Sequence, residues 1–121
     1  MNQVNIGLIG AGRIGRIHAE VLAYRLPIAN LMMVTDLMPD SAKKCAADFQ
    51  IPTVAASPQA IFDSDEIDAV AICSSTDTHV QLMIEAAQAG KHIFCEKPIA
   101  LDLASVDKAL AVVEQTGVKL Q

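Results

Sequence analysis

A short apolar run, Val4-Asn5-Ile6-Gly7-Leu8-Ile9, leads without a break into Gly10-Ala11-Gly12-Arg13-Ile14-Gly15. Three glycines at this spacing mean little alone, but here their context is complete. A strand pattern precedes them, a helical pattern follows, and Asp36 closes the next apolar run about 20 residues further on. Each part answers one physical need. Gly10 permits a tight turn, Gly12 lets the backbone approach a pyrophosphate, and Gly15 lets the helix pack closely on the strand. The N–H groups that open the helix then face two phosphates in the positive field of the helix end. The arrangement predicts a βαβ unit that binds a dinucleotide.

The 121 residues suit one compact domain, expected to run over residues 1–121. Of these, 52% are hydrophobic but only 3% aromatic, so the core has to be built from Ile, Val, Leu, Met and Ala. Small side chains favour helices laid closely on a sheet over an aromatic-rich sandwich. A net charge of −5 argues against a nucleic-acid surface, and it leaves an anionic cofactor to be attracted locally by backbone amides.

Cys45, Cys73 and Cys95 are odd in number and far apart, and none has metal-site spacing to a second Cys or His. No metal is expected, and the thiols read as small apolar side chains in a reducing compartment. Met1-Asn2-Gln3 lacks the basic start of a secretory leader, and no apolar run approaches the length of a membrane span. The expectation is a cytoplasmic protein with neither nucleic acid nor membrane as partner.

Strand and helix patterns alternate to the end. Strands are expected at Val4–Ile9, Leu31–Thr35, Thr53–Ala55, Ala69–Cys73 and His92–Cys95, and a sixth starts at Val118-Lys119-Leu120. Helices are expected from Ile14 to Tyr24, to Phe49 behind an Asp40 cap, over a brief stretch after Ser57-Pro58, and from His79 to Ala89 behind a Thr76-Asp77-Thr78 cap. A last helix, capped by Asp102, places Leu103, Val106, Leu110 and Val113 on one face. This is the pattern of a doubly wound parallel sheet, a Rossmann fold, with strand order 3-2-1-4-5-6. Ligands on such sheets lie beyond the carboxyl ends of the strands, where Gly10–Gly15, Ser74–His79 and Glu96-Lys97-Pro98 converge.

Asp36 suits both hydroxyls of an adenosine ribose and repels a 2′-phosphate, which favours NAD over NADP. Leu37 follows where an NADP site often carries Arg, in keeping with that choice. Lys97, between Glu96 and Pro98 at a strand end, is placed to bond a substrate hydroxyl and favour its developing alkoxide. His79 is a candidate for the binding site, whereas His18 and His92 read as structural.

Gly10–Gly15, Asp36, Cys73-Ser-Ser-Thr-Asp-Thr-His79 and Ala89-Gly-Lys-His-Ile-Phe-Cys-Glu-Lys-Pro98 together resemble the NAD-binding domain of the Gfo/Idh/MocA oxidoreductases, and within them the inositol 2-dehydrogenases. The resemblance covers essentially the whole chain. It implies oxidation of a secondary alcohol on a cyclitol or sugar with NAD, or the reverse. By position, Gly10, Gly12, Arg13, Ile14 and Gly15 would hold the pyrophosphate and Asp36 the adenosine ribose. Ser74, Thr76 and His79 would line the nicotinamide side, Glu96 would join the cofactor site, and Lys97 would be catalytic. Ser74-Ser75 stands where many members have Thr-Pro, which leaves that loop less constrained.

The resemblance also implies a second, mostly antiparallel substrate domain, absent from this chain, that supplies an Asp and a His acting with the lysine. The 121 residues alone are therefore expected to bind NAD weakly and to turn over poorly. The competing reading is a non-catalytic NAD-binding or scaffolding module; a methyltransferase-like nucleotide fold is disfavoured by the glycine pattern and leaves Lys97 without a role. Apolar surface left uncovered by a second domain invites self-association. Light scattering across a concentration series is expected to report a dimer or larger species; a clean monomer would count against it.

Overall fold

The structure, a computed structural model, describes residues 2–121. Five parallel strands, β1 (Val4–Ile9), β2 (Ala29–Thr35), β3 (Thr53–Val54), β4 (Ala69–Ile72) and β5 (His92–Cys95), form one sheet in the order β3-β2-β1-β4-β5. Beyond β5 the chain adds the start of a sixth position. Leu120 bridges Ile93 in parallel, and the Cys95 N–H donates to the Gln121 carbonyl at 2.9 Å. The helices are α1 (Arg13–Tyr24), α2 (Pro39–Phe49), α3 (Pro58–Phe62), α4 (His79–Gln88) and α5 (Leu103–Thr116), with a single 3₁₀ turn at Thr76–Thr78. The expected strand order holds through β5, because each βαβ crossover is constrained to one hand.

The sheet separates two cores. Leu8, Ala19, Leu31, Val34, Cys45 and Ala71 pack under α1 and α2. Ile61, Phe62, Val70, Ile72, Met83, Ala86 and Ala109 pack beneath α3, α4 and α5. As the composition implies, aliphatic side chains and alanines fill both layers, which lets the helices sit close to the strands. Arg16 braces α1 to α2: its Nη2 donates to Asp48 Oδ2 at 2.6 Å while its guanidinium lies 5.0 Å from the Phe49 ring centre.

Three local expectations are corrected. Met38, not Asp40, occupies the cap position of α2, and Asp40 falls inside the first turn behind Pro39. The 3₁₀ turn starts after Ser75, so Thr78 joins it to α4 without a side-chain cap. In α5 the buried positions are Ala109 and Val113, whereas Leu103 and Leu110 are exposed. That helix packs on α4, and close helix–helix approach selects the small Ala109 over the bulkier leucines. The caps at Ser57 and Asp102 form as expected, each accepting the N–H three residues on.

Lys91 is buried, its Nζ donating to the carbonyls of Ser64 at 2.7 Å and Ile67 at 2.9 Å, which pins the loop before β4 to the start of β5.

The tightest constraint lies at the top of β1. Gly10 has φ +102°, and a Cβ there would stand 2.6 Å from the Cys73 carbonyl carbon. A Cβ on Gly15 would overlap the Gly10 carbonyl oxygen, also backbone and unable to move aside. Gly15→Ala is therefore expected to cost about 3 kcal/mol of folding stability, read as a lower midpoint in urea unfolding with an unchanged slope.

Candidate functional site

The crevice opens where β1 and β4 part, at the carboxyl ends of the strands. A cavity of about 560 Å³ there is walled by Gly10, Asp36, Leu37, Met38, Pro58, Ser74 and Ser75, among others. This is ample for a nucleotide fragment. Its apolar rim is open to solvent: Leu37 is 91% exposed and Met38 65%.

Helix α1 starts three residues after Gly10 of the cavity wall. Gly12 occupies the cap position and offers no side chain to cap the N–H groups of that turn. A Cβ added to Gly12 would meet nothing within 4 Å, in contrast to Gly10 and Gly15. Two glycines are thus needed by the protein's own packing, while the third faces open space, as a cradle for a phosphate group requires. Arg13 and Ile14 are exposed on the same turn.

Asp36 stands beside the loop, half-buried. Its Oδ2 accepts the Ala11 N–H at 2.6 Å and its Oδ1 accepts the Met38 N–H at 2.8 Å. Each oxygen keeps a free acceptor site, so the carboxylate is held in place yet still able to take hydroxyl hydrogens.

On the opposite lip, the Ser74 and Thr78 hydroxyls lie 2.8 Å apart, and Thr78 Oγ1 donates to the Ser75 carbonyl at 2.7 Å. Because Thr78 has one hydroxyl hydrogen, Ser74 must be the donor between them. Thr76 is half-buried in the 3₁₀ turn beside them. His79 departs from expectation. It is only 1% exposed, with Nδ1 at 2.8 Å from the Pro98 carbonyl and Nε2 at 3.0 Å from the Ser74 carbonyl. Instead of lining the crevice, its ring is turned inward and ties Ser74 to Pro98. Both contacts are hydrogen bonds only when both nitrogens carry protons, as in the imidazolium form.

Glu96 likewise faces the protein. Its Oε2 lies 2.7 Å from His18 Nε2 on α1, and its Oε1 accepts the Lys97 N–H at 3.2 Å. The hydrogen bond from His18, followed by that from Lys97, holds the Glu96 carboxyl below its ordinary range. Lys97 is exposed, next in sequence to Pro98, and its ammonium makes no hydrogen bond or ion pair among the described residues. The structure thus sets Gly10, Asp36 and Ser74 in the wall of one cavity, leaves Gly12 and Lys97 exposed on the segments next to it, and turns His79 and Glu96 towards the protein.

Sequence reasoning missed His18. It lies on α1, and nothing in its local pattern reveals a partner 78 residues away on the Lys97 segment. His92 is structural as expected, its Nδ1 accepting the Lys119 N–H at 3.0 Å.

The thiols beneath the site are held neutral. Burial, then the Glu96 charge, pushes Cys73 up to about 12, and the same two causes push Cys95 up to about 11. The site therefore offers no thiolate nucleophile near neutral pH. Among the described residues no group of His, Cys, Asp and Glu is placed to hold a metal ion, and no helix is long and apolar enough to cross a membrane.

The model of a family described as "Oxidoreductase family, NAD-binding Rossmann fold" matches residues 4–121. The inositol 2-dehydrogenase of Rhizobium meliloti is 44% identical over 119 residues, which are 97% of this chain and 34% of that protein. The myo-inositol 2-dehydrogenase of Thermotoga maritima is 38% identical over 117 residues, 97% of this chain and 35% of its own. The solved structure of a scyllo-inositol dehydrogenase from Lactobacillus casei, with bound NAD(H) and scyllo-inositol, matches 99% of this chain and 36% of its own at 32% identity and a TM-score of 0.93. The chain thus spans about a third of the length of the curated relatives it matches.

Raised thiol values have a definite sign. The neutral thiols favour the fold fully below the ordinary value of 9.0, and that contribution is lost as pH rises towards about 11 and 12. Thermal unfolding from pH 8 to 11 is expected to show this loss, and Cys73→Ala to flatten it.

Proposed function

Because the chain belongs to the Gfo/Idh/MocA oxidoreductase family through its NAD-binding Rossmann fold, we propose that it is the nucleotide-binding part of an enzyme moving hydride between NAD and a secondary alcohol of a cyclitol or sugar. The observation that supports this reading is the unengaged Lys97 ammonium beside Pro98, which buried His79 links to Ser74 in the wall of the cavity that Gly10 and Asp36 also line.

Gly12 and the first-turn N–H groups of α1, with Arg13 and Ile14 around them, hold the pyrophosphate of NAD. Asp36 accepts the adenosine ribose hydroxyls and disfavours a 2′-phosphate by charge, while exposed Leu37 and Met38 supply an apolar wall and no cation for that phosphate. Ser74 and Thr76 border the nicotinamide side. When bound, NAD supplies a two-electron acceptor for the hydride of an alcohol carbon. Lys97 holds the alcohol oxygen and stabilises the negative charge that develops as the hydroxyl proton passes to a base of the substrate domain. Glu96 and His79 serve this site from below. Neutral Cys73 and Cys95 leave the chemistry to the lysine.

The curated relatives named as inositol dehydrogenases support a cyclitol as the substrate class. Self-association belongs to the same reading: an open apolar furrow of about 480 Å³, with Val21, Leu22 and Leu26 facing Ala71 and Phe94, offers surface for a second copy to cover. A cytoplasmic setting fits three unpaired cysteines.

Calorimetry tests the cofactor site. Gly12→Ala is expected to leave folding within about 1 kcal/mol, since a cap exchange from Gly to Ala is small, and to weaken NAD at least tenfold. Asp36→Ala is expected to erase the preference for NAD over NADP. For catalysis, the chain completed by a substrate domain is assayed for cyclitol-dependent NADH formation; Lys97→Ala is expected to lower kcat at least 100-fold with NAD affinity within about threefold. Unchanged turnover would remove Lys97 from the mechanism, whereas no turnover by the unaltered completed chain would favour a binding module.

A further inference from the structure

We propose that His18 is a positioning residue for Lys97, acting through the carboxylate of Glu96. This rests on reading Lys97 as the catalytic group. Lys97 itself is exposed and carries no side-chain partner among the described residues, so its position depends on the backbone on either side.

The two flanks are held differently. On the far side the Pro98 carbonyl meets His79 Nδ1 at 2.8 Å, and that ring is buried. On the near side the last sheet hydrogen bond is from the Glu96 N–H to the Ile72 carbonyl at 2.9 Å. Past that point the Lys97 N–H has one acceptor, Glu96 Oε1 at 3.2 Å. A half-exposed glutamate does not keep one rotamer unaided, because water solvates it equally well in several. What fixes it is the other oxygen, 2.7 Å from His18 Nε2.

His18 is itself anchored. It sits on α1 beyond the glycine loop, and its ring leans on Phe94 of β5, with centres 5.0 Å apart and planes at 60°. The imidazole donates from Nε2 to the carboxylate both as the cation and as the neutral tautomer protonated there, so the link does not depend on charge. The chain of contacts runs from a rigid helix, through one imidazole and one carboxylate, to the lysine backbone. It also joins α1, whose first turn faces the cofactor crevice, to the segment that carries Lys97.

The test is local order in the 121-residue chain. Backbone ¹⁵N relaxation is measured for the unaltered chain, His18→Ala and His18→Gln, with NAD affinity measured by calorimetry alongside. In His18→Ala the Lys97 order parameter is expected to fall from about 0.85 to below about 0.6, while Ile93 and Phe94 stay rigid. In His18→Gln, whose amide N–H donates from a similar reach, Lys97 is expected to recover its order. NAD affinity should stay within twofold in both. An unchanged Lys97 in His18→Ala overturns the proposal. So does loosening that spreads through α1 and β5, or a glutamine variant no better ordered than alanine. If Lys97→Ala kept full turnover in the completed enzyme, the catalytic reading would fail while the ordering result stood on its own.

Discussion

Everything at this site depends on a backbone contact that no side chain mediates. Gly10 lies against the Cys73–Ser74 peptide and Gly15 lies against the Gly10 carbonyl, each at a separation with no room for a Cβ. That contact brings the first turn of α1 to the end of β1 and the β4 end to the same place. Two consequences follow from it. The Ala11 N–H reaches Asp36, which ties the loop to the end of β2, and the unfilled space in front of Gly12 becomes a cradle. The crevice is the place where α1, β2 and β4 are forced together while their free N–H groups and carboxylate still face outward.

A second layer of organisation works through long side chains that reach back to the main chain. His79 joins the Ser74 and Pro98 carbonyls, Lys91 joins Ser64 and Ile67, and Glu96 joins His18 to the Lys97 N–H. In each case a charged or ionisable group holds a loop that the sheet ladder no longer controls. Buried donors and acceptors that lack partners are expensive, so these contacts specify loop geometry more sharply than packing alone would. The Lys97 ammonium is left outside this network, exposed and without a partner among the described residues.

The thiols show the same separation of structure from chemistry. Cys73 supports the glycine contact, Cys95 ends β5 in the opposite core, and both are kept neutral by burial beside the Glu96 charge. Their role is volume, as the odd number and wide spacing suggest.

Much of this was legible along the chain, for a physical reason. Strand and helix patterns, the glycine turn, the Ser57 and Asp102 caps and the Asp36 strand end depend on neighbours a few residues away, so they appear as local pattern. The fold class and strand order follow, because short right-handed crossovers leave few alternatives. The residues around the crevice could be named on the same grounds, since their place is at the carboxyl ends of strands. Tertiary structure alone decided which way side chains face. It turned the buried face of α5 towards Ala109, took His79 out of the crevice, buried Lys91, and joined His18 to Glu96 across 78 residues. Those outcomes depend on which surfaces meet when the layers close, and no pattern within a few residues of any one of them contains that information.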